Sequence, residues 1–197
     1  MKIVTGIGNP GKRYLGTRHN VGFEVVDLVA GQCGTEVRKR RFLSKVGSAQ
    51  MGTEQVFLVK PQTYVNETGQ AVRQVIDWMR LTPQDVLVVC DDANLELGCG
   101  RVRAAGSSGG HKGLQSVIDC LGTEEFPRLR IGVGSGADTS LVDHVLSRFS
   151  AGERKVLQSV IDAAAAATRV WVTEDIEACM NGFNGIGQRQ DGSTGGI

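Results

Sequence analysis

The chain has 197 residues and a mass of 21.0 kDa, which is enough for one domain with a full hydrophobic core. Hydrophobic residues make up 41% and charged residues 22% of it, which excludes a wholly disordered chain. There is no apolar run long enough for a membrane span, and the N-terminus lacks the apolar segment of a signal peptide. We therefore expect a cytoplasmic location and no membrane partner.

The cysteines and the charge exclude further classes of protein. Five scattered cysteines without a CxxC motif predict neither a disulfide framework nor a zinc site. The formal net charge is only +1, yet four consecutive basic residues stand at positions 38–41. Such a run is typical of a solvated face, and nucleic-acid contact is the alternative.

Apolar segments alternate with amphipathic segments, which is typical of α/β proteins. Strands are predicted at residues 2–7, 86–90, 101–104 and 129–133, with a hairpin from 42–50 and 55–60. Helices are predicted from residue 20 onwards and at 69–81, 112–121 and 153–172. The expected fold is a single-domain α/β/α sandwich over residues 1–185, built around a mixed, mostly parallel twisted sheet. The polar, glycine-rich tail at 186–197 is expected to be disordered.

Ligands of such sheets bind beyond the carboxyl ends of the strands, so the loops there are the candidate sites. The first loop, GIGNPG at residues 6–11, formally matches the dinucleotide motif GxGxxG. Pro10 interrupts it, however, and no helix opens directly at the glycines to receive a pyrophosphate. We expect the glycines to form a tight turn that exposes Asn9.

His19 stands just before the first helix, which Asn20 is expected to cap. An imidazole titrates near neutrality and suits a general base, provided that an acceptor orients its second ring nitrogen. Asp91 and Asp92, which end the most apolar strand, are both candidates for that acceptor. The alternative is that His19 is a structural hydrogen-bonding group and that one carboxylate caps a loop.

A glycine-rich loop, GSSGGHKG at residues 106–113, opens a helix without matching a P-loop. Backbone N–H groups at such a place favour an anion or a carbonyl oxygen. Two pairs of arginines flank this loop, Arg101 with Arg103 and Arg128 with Arg130. Because residues at i and i+2 face the same side of a strand, each pair predicts a cationic surface with two guanidinium groups. Phosphate binding fits this pattern, and plain solubility is the alternative.

Five blocks, in order and in register, together resemble bacterial peptidyl-tRNA hydrolases. They are GIGNPG followed by TRHN at 17–20, KPQTYVNETG at 60–69, VVCDD at 88–92, GSSGGHKGL at 106–114 and RLRIGVG at 128–134. The resemblance covers roughly residues 1–185 and implies an enzyme that cleaves the ester between a peptide and the 3′ ribose of tRNA. It also implies peptidyl-tRNA as the only nucleic-acid partner, no DNA, no metal or other cofactor, and a monomer.

The same resemblance implies roles for individual residues. His19 would activate water, Asp91 would orient its imidazole, and Asn9 would contact the peptide. Contacts with the rest of the substrate are implied for Tyr14, Tyr64, Asn66 and Lys112, and contacts with the tRNA 5′ phosphate for Arg103 and Arg130, with Arg128 as an alternative. Lys112 is a departure, because the family usually has asparagine there.

Two other functions remain open at this stage. A non-catalytic RNA-binding protein on the same scaffold, such as a splicing factor, is favoured only by Lys112. The intact set of polar residues argues against it: Asn9, His19, Asn66 and Asp91. A nucleotide-binding enzyme rests on the weak glycine match alone.

Overall fold

A computed structural model describes residues 1–136 and 140–185, so the predicted tail lies outside the described residues. Seven strands form one sheet: β1 (Lys2–Gly6), β2 (Lys39–Arg41), β3 (Ser44–Met51), β4 (Glu54–Pro61), β5 (Val86–Asp92), β6 (Gly100–Arg103) and β7 (Arg128–Gly132). The helices are α1 (Val21–Gln32), α2 (Thr68–Met79), α3 (Lys112–Leu121), α4 (Leu141–Leu146), α5 (Ala151–Thr173) and α6 (Ile176–Phe183). No helix of the described segments has the length and hydropathy to cross a membrane.

The strand order is β2-β3-β4-β1-β5-β7-β6. The four neighbouring strands β4, β1, β5 and β7 run parallel, while β2–β3, β3–β4 and β7–β6 pair antiparallel. Helices α1, α5 and α6 cover one face of the sheet, and α2 and α3 cover the other. The α/β fold with a mixed sheet is thus confirmed, although the sequence predicts only one of its three antiparallel pairings.

Strand β5 lies between β1 and β7 with both faces covered, and all seven of its residues are buried. Its apolar residues continue without alternation because neither face meets water. The strand ends in Asp91 and Asp92, which are therefore buried carboxylates at the C-terminal edge of the parallel strands. Burial of this kind requires partners for both side chains.

Helix α1 begins in direct contact with the sheet. A Cβ at Gly22 would lie 2.4 Å from Val89 O and 2.6 Å from Ile7 O, and one at Gly6 would lie 2.2 Å from Gly22 O. The prediction that the first glycines form a tight turn exposing Asn9 is therefore wrong in two respects: Gly6 permits close packing instead, and Asn9 is buried. Among the glycines of residues 6–11, only Gly11 has a positive φ, of 105°. This close approach brings the segment before α1 to the end of β5.

Candidate active site

A cleft of about 410 Å³ opens at the C-terminal edge of the parallel strands. It brings together most of the residues singled out from the sequence: Asn9, His19, Tyr64, Asn66, Asp91, Lys112 and Arg130. Tyr14 and Arg103 are not among its lining residues. The side chain of Tyr14 instead lies beneath the guanidinium of Arg13, with 4.5 Å between the Arg13 Cζ and the ring centre.

Two histidines share one oxygen of Asp91. His19 Nδ1 lies 2.7 Å and His111 Nε2 lies 3.0 Å from Asp91 Oδ1. The other nitrogen of His111, Nδ1, accepts from the backbone N–H groups of Gly113 and Leu114 at 3.1 and 3.2 Å and so caps α3. Because Nδ1 accepts, the proton of the neutral His111 ring must be on Nε2, which donates to Asp91.

The carboxylate of Asp91 in turn fixes the tautomer of His19. Burial alone raises the pKa of Asp91, but the electrostatic attraction and hydrogen bonds of His111 and His19 outweigh it and hold that pKa well below its ordinary value. An ionised carboxylate only accepts, so His19 donates from Nδ1. The Nε2 of the neutral His19 ring then has a free lone pair at the cleft, as a general base requires.

Asn9 is held by three hydrogen bonds. Its backbone N–H donates to Asn20 Oδ1 at 2.8 Å, and Asn20 Nδ2 donates to the Asn9 carbonyl at 3.0 Å. The side-chain oxygen of Asn9 accepts from the backbone N–H of Val65 at 3.2 Å, which leaves its amide N–H groups for the cleft. The prediction that Asn20 caps α1 is wrong, because its side chain makes no capping bond and positions Asn9 instead.

The two arginines of β7 are committed to the protein itself. Arg128 is buried and donates to four backbone carbonyls, those of Gly106, Ser107, Glu124 and Phe126. Arg130 Nε lies 2.9 Å from Asp92 Oδ2 in an ion pair, although its N–H is not directed well enough for a hydrogen bond. The cationic surface with two guanidinium groups expected on β7 is therefore absent from this described strand, and Arg128 is a structural residue.

The other pair of arginines, Arg101 and Arg103, lies on the edge strand β6. Arg103 is exposed and Arg101 is half-buried, and in register they lie opposite Arg128 and Arg130 respectively. Directly paired residues of antiparallel strands share a face of the sheet, so all four arginines project to the same side. Among the described residues, Arg101, Arg103 and Arg128 have no carboxylate within 4.0 Å of their guanidinium groups, and of these three only Arg128 is buried against backbone carbonyls.

The cleft has a polar wall and an apolar wall. Lys112, the first residue of α3, is exposed on the polar side together with Asn66. Helix α4 supplies the opposite wall with Leu141, Val142, Val145 and Leu146. A wall with such side chains suits an aliphatic or aromatic group of a substrate.

A family model described as peptidyl-tRNA hydrolase matches residues 3–192. The chain is 45% identical to a peptidyl-tRNA hydrolase of Caldanaerobacter subterraneus subsp. tengcongensis over 94% of this chain and 100% of the relative. It is 45% identical to one of Desulforudis audaxviator over 93% of each. A crystal structure of peptidyl-tRNA hydrolase from Acinetobacter baumannii superposes with a TM-score of 0.89 at 29% identity, covering 94% of this chain and 95% of that one. This chain belongs to the peptidyl-tRNA hydrolase family.

Membership of the peptidyl-tRNA hydrolase family confirms the resemblance drawn from the five motifs. The match runs through every residue assigned to the cleft, so the catalytic function is supported rather than the non-catalytic RNA-binding alternative or the nucleotide-binding enzyme. The roles of the individual side chains stay predictions, supported by the geometry described above.

Sequence reasoning missed His111, which it treated only as part of the glycine-rich loop. The signal was available, since His111 directly precedes the periodic segment of α3, where a capping residue is expected.

Sequence reasoning also missed the contacts that hold α4 in place. His144 Nε2 lies 2.8 Å from Gly134 O and 3.3 Å from Arg18 Nε, and Arg18 also pairs with Glu153.

The atoms of His19, Asp91 and His111 lie close enough together to raise the question of a metal ion. Their hydrogen bonds argue against one, because His111 Nε2 carries a proton and His19 Nδ1 donates to the same oxygen. A ligating imidazole nitrogen would have to be free of its proton. The prediction that no metal takes part stays a prediction, and this donor set favours it.

Cys90 also lies near the reaction site, directly before Asp91. Its thiol is buried, and burial, with a smaller contribution from Asp91, raises its pKa far above the ordinary value. A thiol in this environment stays protonated and is a poor nucleophile. Cys90 is therefore a poor candidate for a nucleophile, and His19 stays the predicted base.

Proposed function

We propose that this chain hydrolyses the ester between a peptide and the 3′ ribose of tRNA, with His19 as the general base. The observation that carries the proposal is the 2.7 Å contact between His19 Nδ1 and Asp91 Oδ1, which leaves Nε2 free at the cleft. The family supplies the substrate class, peptidyl-tRNA, and the geometry supplies the base. The product is free tRNA, so the reaction recycles tRNA from prematurely released peptides.

In this mechanism His19 Nε2 removes a proton from a water molecule as its oxygen attacks the ester carbonyl. The tetrahedral intermediate that forms carries the charge on the former carbonyl oxygen. When the intermediate collapses, the bond to the ribose 3′ oxygen breaks, and the proton on His19 passes to that oxygen. Asp91 stabilises the transient imidazolium and keeps the ring oriented, since it is ionised and buried.

Asn9 and Asn66 provide uncharged donors around the reacting group. The amide N–H groups of Asn9 face the cleft because its oxygen accepts from the backbone of Val65. Such a donor suits a peptide carbonyl, which peptidyl-tRNA has beyond the ester and aminoacyl-tRNA lacks. Hydrogen bonds to a group that only one substrate possesses give strong discrimination. Asn9 therefore favours the peptidyl substrate.

Cations beside the cleft complete the proposed substrate site. Arg103, on the exposed edge of β6, and Arg130 at the cleft are assigned to the 5′ phosphate of tRNA, and Tyr14 and Tyr64 to the 3′ end with its peptide. Arg130 would have to loosen its ion pair with Asp92 to reach a phosphate, so Arg103 and Arg101 are the better placed of these cations. We assign a cytoplasmic, monomeric enzyme, in keeping with the composition and with the family resemblance.

The test compares peptidyl-tRNA with aminoacyl-tRNA in the presence of EDTA. The wild-type protein should release peptide from the first and leave the second intact. His19→Ala should lower kcat by about 10²–10⁴-fold, the usual contribution of a general base, while the Kd for tRNA changes little. No hydrolysis by the wild-type protein would reject the proposed function, and near-normal turnover by the variant would reject the assignment of His19.

A further inference from the structure

A second charged surface lies at the β2 edge of the sheet, outside the cleft. It consists of the exposed strand β2, the turn that follows it and one residue of α2. We call it the basic–aromatic patch, defined as Lys39, Arg40, Arg41, Phe42, Leu43 and Trp78. None of these residues lines the cleft, and the proposed reaction uses none of them.

The turn in this patch has an unfavourable backbone. Phe42 and Leu43 have φ angles of 53° and 51°, a left-handed conformation that glycine or asparagine usually provides in a two-residue hairpin turn. A non-glycine residue held there costs on the order of 1–3 kcal/mol. Leu43 nevertheless remains 47% exposed. Phe42 packs partly against the hydrophobic core, but the turn keeps Leu43 at the surface, where a small polar residue would fold more easily.

An aromatic surface adjoins this turn. The ring centres of Phe42 and Trp78 are 5.0 Å apart, and the guanidinium of Arg41 lies 4.1 Å from the Trp78 ring centre. Trp78 is 50% exposed, whereas Trp171, the other tryptophan of the chain, is 2% exposed. An exposed aromatic ring beside arginine is the combination that stacks on unpaired nucleic-acid bases.

The charges of the patch have no carboxylate partner among the described residues. No acidic oxygen lies within 4.0 Å of the cationic groups of Lys39, Arg40 or Arg41, and the neighbouring Arg38 pairs with Glu36. Lysine and arginine on an edge strand also protect the edge from pairing with other chains. Acidic side chains would protect the edge as well as basic ones, and edge protection gives no reason for an exposed tryptophan.

The turn of the patch lies at the C-terminal end of the parallel strands, on the side of the sheet to which the cleft opens. Ser44, the residue after the turn, pairs with Pro61 at the C-terminal end of β4, and the Gln62 N–H donates to Leu43 O at 2.7 Å. Two residues later comes Tyr64, which lines the cleft. Strand β2 is three strands from β1, about 14 Å at the usual ~4.8 Å spacing. One RNA bound across the cleft can therefore reach the patch.

We propose that the basic–aromatic patch is a second binding surface for the RNA of the substrate, in which the basic side chains contact phosphates and Trp78 stacks on an unpaired base. The cleft then lies between two cationic edges, Arg101 and Arg103 on β6 and this patch on β2. The inference rests on the proposed tRNA substrate. It adds an RNA contact that takes no part in the hydrolysis.

Charge reversal separates RNA binding from edge protection. The Lys39→Glu/Arg40→Glu variant keeps a charged edge but repels phosphate. A matched control, Lys155→Glu/Arg169→Glu, makes the same change of charge on the exposed side of α5, which covers the other face of the sheet. The patch variant should bind deacylated tRNA about tenfold more weakly at low salt, with the slope of log Kd against log salt reduced by about two. The control should change the Kd by less than about threefold, since its charges lie outside the contact.

Trp78 provides a direct readout. In a Trp171→Phe background Trp78 is the only tryptophan, and saturating tRNA should quench its emission, whereas a merely structural tryptophan would not respond. Equal tRNA affinities of the two charge-reversal variants, or unchanged Trp78 emission at saturation, would each overturn the proposal. Hydrolysis of a peptidyl ester on a CCA trinucleotide should be the same in the patch variant and the wild type. If the wild-type protein does not hydrolyse this trinucleotide ester, the result counts against the proposed function and not against the patch.

Discussion

At Asp91, one buried oxygen receives hydrogen bonds from two imidazoles, while the adjacent Asp92 pairs with Arg130 and accepts from the Asn94 N–H. Asp91→Asn removes the charge that stabilises the imidazolium of His19 and should lower kcat by roughly 10²–10⁴-fold. Asp92→Asn is the matched control, because it makes the same change one residue away and should keep kcat within about tenfold. Steady-state kinetics on peptidyl-tRNA measure both, and a larger loss from the Asp92 variant would move the orienting role to Asp92.

Lys112 lines the cleft at a position where the family resemblance leads us to expect asparagine. A lysine at the first position of α3 is locally unfavourable, because the helix dipole is positive there. It is exposed at the cleft, so its ammonium can reach a phosphate or the terminal ribose of the substrate. Lys112→Asn should therefore preserve kcat, raise KM modestly and reduce the slope of log KM against log salt by about one. Kinetics at two salt concentrations check this, and a clear rise in kcat with an unchanged slope would show that Lys112 obstructs the site.

Among the elements, those with long apolar patterns could be predicted and those set by tertiary contacts could not. Helix α3 begins and ends at the predicted residues, because its periodic apolar face packs on the sheet. The basic strand β2 has no apolar alternation, so its sequence gives no strand signal, and it is a strand only because β3 offers it a partner. Helices α4 and α6 have six and eight residues, too few for a clear helical period.

The same distinction applies within the site. His19, Asp91 and Asn9 could be identified because polar residues at strand ends meet at one edge of the sheet. The burial of Arg128 could not be foreseen, because a strand arginine is buried only where nearby groups accept its hydrogen bonds. Here the backbone carbonyls of the loops at residues 106–107 and 124–126 accept them.

At the level of elements, the contact of α1 with the sheet also positions His19, the proposed base. Gly22→Ala would place a methyl group 2.4 Å from Val89 O, so the start of α1 must shift and His19 must move relative to Asp91. We expect a loss of about 1–3 kcal/mol in the free energy of unfolding, together with a loss of kcat at temperatures where the variant is folded. Gly31→Ala, in the same helix with no atom within 4 Å, is the control and should stabilise by up to about 1 kcal/mol. Urea unfolding and kinetics measure both, and normal kcat in Gly22→Ala would show that α1 does not set the geometry of His19.

For the whole molecule, Asp91 links the catalytic arrangement to stability in acid. Its pKa in the folded protein is held below the ordinary value of 3.8 by His111 and His19, against the opposing effect of burial. A depressed folded-state pKa contributes stability that is present above the unfolded-state pKa and is lost as the pH falls towards the folded-state pKa. Below about pH 4 the unfolded chain binds a proton at Asp91 that the folded protein does not, so this group alone should lower the free energy of unfolding by about 1.4 kcal/mol per pH unit.

The Asp91→Asn variant tests this linkage, because asparagine does not titrate. It should be less stable than the wild type at neutral pH, yet its free energy of unfolding should fall less steeply below about pH 4, so the two curves approach each other in acid. Urea unfolding at a series of pH values from neutral to strongly acidic measures both curves. Glu153, whose pKa is also lowered, chiefly by hydrogen bonding with Ser150, titrates in both proteins and cancels in the comparison. Parallel curves would mean that Asp91 titrates alike in the folded and unfolded chain, and the two histidines would then not hold it as an ionised carboxylate.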